Sequence, residues 1–141
     1  MTRKYALLLS ILIPVFTIHP SILKAEVQLL NGMALLCQKD TNVVRSHDKG
    51  IEFKGHKARI IFIRGYGLFN SPWFKTSVTA NHIHIKSDKR GDGSARISTE
   101  TLEADIFWDS DDNYTCHLTS YQKILEELRK AVIGAKKKNK I

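Results

Sequence analysis

Between Met33 and Thr119 the apolar residues come in short runs that alternate with polar ones, broken by clusters of Gly, Asn, Asp and Ser. A period of two marks a half-buried strand, because successive side chains point to opposite faces. Met33 to Gln38 places Met33, Leu35 and Cys37 on one face. Thr41 to Arg45 is β-branched and predicts a short strand, followed by the turn-like Ser46 to Gly50. Ile51 to Phe53 alternates, and Lys54-Gly55 suits a tight turn. Lys57 to Arg64, KARIIFIR, has consecutive apolar residues between basic ends, which fits a strand covered on both faces. Gly65-Tyr66-Gly67 ends it, and Leu68 to Phe74 reads as irregular because Pro72 argues against a central strand.

Lys75 to Lys86 is rich in β-branched residues, with Ile83 and Ile85 on one face and His82, His84 and Lys86 on the other. Ser87 to Ser94 is a polar turn cluster. Strands follow at Arg96–Ser98 and at Thr101–Trp108, where Leu102, Ala104, Ile106 and Trp108 alternate with Glu103, Asp105 and Phe107. Asp109 to Asn113 reads as a turn and Tyr114 to Thr119 as the last strand. From Tyr121 the period changes. Tyr121, Ile124, Leu125, Leu128 and Val132 form one helical stripe, with Ser120 as its cap, a Glu126–Lys130 pair on its surface and Gly134 at its expected end. The fold class expected is therefore all-β, a small antiparallel sandwich or flattened barrel of about seven strands, with one C-terminal amphipathic helix.

The chain opens on Arg3 and Lys4, then an apolar run interrupted by Pro14, then a small residue at Ala25. That is the layout of a secretory signal, and the run is shorter than the ~20 residues a spanning helix needs. The expected division is a signal peptide over 1–25, a disulfide-linked β domain over 26–120, and an amphipathic helix with a basic tail over 121–141. A secreted or periplasmic location follows. In such an oxidising compartment the two cysteines, Cys37 and Cys116, have only each other as intrachain partners.

The net charge of +8 changes meaning once it is partitioned. Residues 26–122 carry 12 basic and 12 acidic side chains, whereas residues 123–141 carry 7 basic against 2 acidic. The pattern is a neutral body with a basic tail, unlike nucleic-acid binders, whose charge lies along the folded surface. No specific nucleic acid is expected as a partner.

Ala34-Leu35-Leu36-Cys37, Val78-Thr79-Ala80-Asn81-His82-Ile83, Ala95-Arg96-Ile97-Ser98-Thr99 and Tyr114-Thr115-Cys116 give the stretch from Met33 to Leu118 a particular outline. It resembles small exported uncharacterised bacterial β-proteins with a cysteine in the first and last strands. The resemblance implies a compact β-fold with a terminal bridge and no known activity; the basic helical tail departs from it.

Chemistry-bearing residues are sparse. His82 and His84 stand on one strand face about 7 Å apart, and a zinc-type site would need a third ligand from His117, His56 or the Asp109–Asp112 run. His117-Leu118-Thr119 has the His-x-Thr form of two-histidine phosphoesterases, and His82, His117 and Lys86 or Lys75 could assemble a ribonuclease-like set. Asp109-Ser110-Asp111-Asp112-Asn113 starts like a calcium loop, but Tyr114 replaces the required glycine. Tyr66, Phe69, Trp73 and Phe74 form an aromatic group that would bind a partner if exposed. Lys136, Lys137 and Lys138 suit an anionic envelope surface or an acidic protein. The leading expectation is an exported, non-catalytic binding or accessory protein without cofactor, whose partner is a protein or an anionic envelope surface. Its rivals are a small phosphodiester hydrolase using His82, His84 and His117, and a membrane-surface protein docking through the basic helix.

Overall fold

The computed structural model describes residues 30–40, 42–87, 94–107 and 111–138, with only the backbone described at Asp111 and Asp112. The expected signal segment, most of the Ser87–Ser94 turn, Trp108 and the first two residues of the Asp109–Asn113 run lie outside the described residues. The strands are β1 (Ala34–Gln38), β2 (Lys49–Lys54), β3 (Lys57–Arg64), β4 (Gly67–Asn70), β5 (Phe74–Val78), β6 (His82–Lys86), β7 (Ser94–Ser98), β8 (Glu103–Phe107) and β9 (Asp111–Thr119), followed by helix α1 (Tyr121–Lys138).

The strands pair antiparallel in the order β2-β1-β9-β8-β7-β6-β5-β3, and β2 pairs back onto β3, which closes an eight-strand barrel. An eight-strand barrel has an interior just wide enough for side chains to fill. Here Leu35, Ile51, Phe53, Ile60, Phe74, Ile83, Ile85, Ile97, Ile106 and Tyr114 fill it, with Ala58, Ala95 and Ala104 at tighter positions. Each belongs to the inward-facing set of its strand, so the period-two pattern is the barrel's inside read along the chain.

β4 is the strand outside the ring. The free edge of β3 is shared: Lys57 and Ala58 pair with Lys75 and Phe74 of β5, while Ile61 to Arg64 pair with Asn70 to Gly67 of β4. Ser71 bridges the split, donating its N–H to the Ile60 carbonyl at 2.8 Å and accepting the Ile60 N–H on Oγ at 2.8 Å. Pro72 lies in the gap between two strands, where no ladder bond is asked of it. The irregular Leu68–Phe74 segment expected from the sequence is therefore corrected to a strand, a gap and the start of another strand. Phe74 is also corrected: it is 5% exposed inside the barrel and offers no surface to a partner.

Two further corrections concern chain turns. Lys75 to Lys86 is two strands, joined at Thr79-Ala80-Asn81, where the Thr79 N–H donates to the His82 carbonyl at 2.8 Å. Residues 42–45 form no strand; that segment is looped around the Asp48 carboxylate.

α1 covers one outer flank. Ile124 and Leu128 are fully buried against Ala34, Leu36 and Ile61 on the outside of β1 and β3, which explains why those two strands are apolar on both faces. Ser120 caps the helix, its Oγ accepting the Lys123 N–H at 3.2 Å. Arg59 pins the same end: it meets Glu52 at 2.6 Å and the Tyr121 hydroxyl at 3.2 Å. The helix does not stop at Gly134 but runs to Lys138. A mid-helix glycine is only about 1 kcal/mol worse than alanine, and the three terminal lysines favour the helix C-terminus.

Cys37 and Cys116 are bonded, with Cα atoms 3.9 Å apart. They are direct register partners on β1 and β9. The Cys116 N–H donates away from β1, to the Leu102 carbonyl at 2.9 Å. The pair is thus of the narrow, non-hydrogen-bonded kind, where facing side chains come closest. The bond points to an oxidising compartment, as cytosolic thiols are kept reduced.

Candidate functional site

With the barrel filled, binding has to occur outside it, and the histidines show where the outer surface is divided. His82 and His84 stand on the outward face of β6 with ring centroids 5.9 Å apart. They neighbour Ser98 and Arg96 of β7, which in turn neighbour Glu103 and Asp105 of β8. His82, Ser98, Glu103 and Asn113 line a shallow polar cavity of about 380 Å³. Arg96 is held there by Asp105 at 2.7 Å. Burial, followed by the charges of Lys86, His82 and Arg96, holds the His84 imidazole below its ordinary value of 6.5.

His117 is elsewhere. It faces outward from β9 beside Leu36 and lines a cleft of about 1130 Å³ between α1 and the loop that follows β1. Two strands, β8 and β7, separate β9 from β6. At ~4.8 Å per strand step, the three steps from β9 to β6 exceed the reach of a shared proton transfer. The structure brings His82 to His84 and does not bring His117 to either. Among the described residues, no group of three or more His, Cys, Asp or Glu side chains is placed to hold a metal ion.

The loop wall of the larger cleft is set by a residue that strand expectations overlooked. Asp48 is fully buried, accepting the Arg45 N–H at 2.7 Å and the Lys39 N–H at 3.2 Å. Arg45 and His47 line the cleft on that side, and Glu127, Lys130 and Lys138 line it on the helix side. Lys123 and Lys130 are paired with Glu126 and Glu127 at 2.6–3.3 Å. The sequence signal for the loop was present in Asp40 and Asp48 bracketing a segment with Asn42 and Ser46, a composition that favours turns.

The aromatic group is dispersed by the barrel. Phe74 is internal, Trp73 lies under Arg59 with 4.7 Å from guanidinium to ring, and Tyr66 and Phe69 stand at the β3–β4 end, about half exposed at 50% and 48%. Phe69 stacks on Phe62, with ring centroids 6.1 Å apart, while Tyr66 meets the end of α1. Lys136 Nζ is 5.7 Å from the Tyr66 ring centroid, so two surfaces that the sequence presented separately form one. Lys137 follows, Lys138 turns to the cleft side of the helix, and Ile133, one helical turn before Lys136, is exposed.

No helix among the described residues is long and apolar enough to cross a membrane. Comparison with family models, with curated proteins and with solved structures finds no match to this chain, so its own residues are the whole basis for a functional reading.

Proposed function

We propose that the protein is an exported, non-catalytic binding or accessory protein of the periplasm or cell envelope, docking on an anionic envelope surface through the far end of α1. The observation that supports this reading is the meeting of Lys136 with Tyr66, which joins a lysine-ended helix to a half-exposed aromatic ring at one edge of a filled barrel. Tyr rings suit the interface between water and lipid headgroups, and each lysine near an anionic surface adds about 1 kcal/mol of attraction. The disulfide and the basic, apolar N-terminal pattern support export.

Co-sedimentation with vesicles tests the reading. The full chain is expected to pellet with vesicles containing phosphatidylglycerol and to stay in solution with phosphatidylcholine alone. A variant with Lys136→Gln, Lys137→Gln, Lys138→Gln and Tyr66→Ser is expected to lose about a hundredfold in partitioning, from three lysines at about 1 kcal/mol each. Equal partitioning of the two proteins, or indifference to lipid charge, would overturn it.

A further inference from the structure

The body that counts as neutral along the sequence is not neutral on its surface. Lys54 of β2 is the register partner of Lys57 on β3. Lys57 is the partner of Lys75 on β5, and Lys75 is the partner of Lys86 on β6. All four are exposed and belong to the outward set of their strands, since Phe53, Ala58, Phe74 and Ile85 beside them are buried. The result is a row of four lysines on four successive strands of the barrel wall. Register partners stand about 5 Å apart at Cβ, so the row runs about 15 Å across the strands.

Like charges directly opposite each other destabilise a sheet, and here three such pairs follow in sequence. The hydrophobic core does not call for them, because all four residues are exposed. Among the described residues, no carboxylate pairs with Lys54, Lys57 or Lys86. The adjoining outward rows hold His84 and Arg96 on one side and Arg59 with its partner Glu52 on the other, while the acids Glu103 and Asp105 lie further round, on β8. Trp73, 36% exposed, sits two residues before Lys75.

We propose that this row binds an anionic polysaccharide, its charged groups seated along the row against Lys54, Lys57 and Lys86, with Trp73, already stacked under Arg59, at the margin of the row. The wall is open and the charges are evenly spaced in a line, which suits an extended polymer rather than a single small anion. Lysine, with a flexible stem and a compact charge, suits sulfate or carboxylate groups whose orientation varies along a chain. A bilayer is a poorer occupant, because the row carries no inserting apolar side chains. A nucleic acid is disfavoured by the oxidising location that the disulfide indicates. The surface is separate from the Tyr66–Lys136 end: Lys57 opens β3 and Tyr66 lies in the turn after its other end, so the strand's length of roughly 23 Å stands between them.

The test uses the full chain and heparin as the probe, in a salt series. The row variant carries Lys54→Gln, Lys57→Gln, Lys75→Gln and Lys86→Gln; the control carries Lys136→Gln, Lys137→Gln and Lys138→Gln. The row variant is expected to bind heparin at least about tenfold more weakly, and to flatten the plot of log affinity against log salt by about 3. It is also expected to be at least as resistant to urea as the wild type, which separates lost binding from lost folding. The control is expected to keep heparin affinity within about twofold, while the row variant keeps wild-type binding to phosphatidylglycerol vesicles. That double dissociation keeps this proposal distinct from docking through the helix end. Unchanged heparin binding by the row variant, losses in both variants in proportion to charge removed, or tighter row-dependent binding to a single-stranded oligonucleotide would each overturn it.

Discussion

Ile124 Cγ2 of the helix occupies the space that a side chain on Gly50 of β2 would need, and Ile61 closes the same site from β3 at 3.2 Å. Gly50 is therefore the notch into which α1 is keyed. Its neighbours Lys49 and Ile51 carry side chains; only position 50 faces the helix without one.

Gly50→Ala is expected to destabilise the protein by about 1–3 kcal/mol, as overpacking of a filled site does. Ile124→Ala alone is expected to lose about 2–5 kcal/mol. Because Ile124→Ala removes the colliding methyl, the double variant should lose less than the sum by about 1 kcal/mol or more. Urea unfolding of the four proteins measures this. Strict additivity would mean that helix and glycine are not in contact.

Cys37→Ala with Cys116→Ala is expected to lower stability by about 2–4 kcal/mol, since the bond closes a separation of 79 residues in the unfolded chain. Equilibrium unfolding with and without reductant should give the wild type the same loss. Both sulfurs are buried, so the bond should resist mild reductant until the barrel opens.

Asp48→Ala is expected to cost about 2–3 kcal/mol, because it leaves the Lys39 and Arg45 amides of the loop without their acceptor. Asp48→Asn should lose less, as one oxygen survives. Amide exchange at Lys39 and Arg45 reads the effect directly: both should lose protection in Asp48→Ala while Ile60 and Ile85 in the barrel keep theirs.

His84 ties stability to pH. Its folded value lies below 6.5, so between that lowered value and 6.5 the unfolded chain holds more protons than the folded one. Stability is therefore full above pH 6.5, falls as the pH drops through that window, and levels off beneath the folded value. Urea midpoints at pH 7.5 and 5.5 should differ in this direction, and less so in His84→Gln. Lys86→Gln should raise the His84 titration followed by NMR, since the Lys86 charge is among its causes.

The inside of the barrel was legible because burial on one face writes itself as alternation, from Leu35 and Cys37 to Tyr114 and Cys116. The helix was legible from its stripe, and the pairing of the cysteines from their number. What escaped was set by geometry that no local run encodes. The split edge of β3 turns Leu68–Phe74 into two strands. Thr79-Ala80-Asn81 makes a turn without glycine. Trp73 and Phe74 are sequence neighbours, yet strand alternation sends one to the surface and the other inside. The lysine row was invisible for the same reason: Lys54, Lys57, Lys75 and Lys86 are scattered through a balanced composition, and only strand register lines them up.

The neighbour relation of β1 and β9 has a bearing on how the molecule is made. Among the described strands β1 is made before the others and must wait for β9 before it can complete its pairing, so until then the sheet is an open curl with a bare margin on each side. Such long-range closure is slow, and exposed margins invite other chains. A chain truncated anywhere before Cys116 would keep its gap, and the linkage of the two sulfurs marks a molecule whose synthesis has run past the ninth strand.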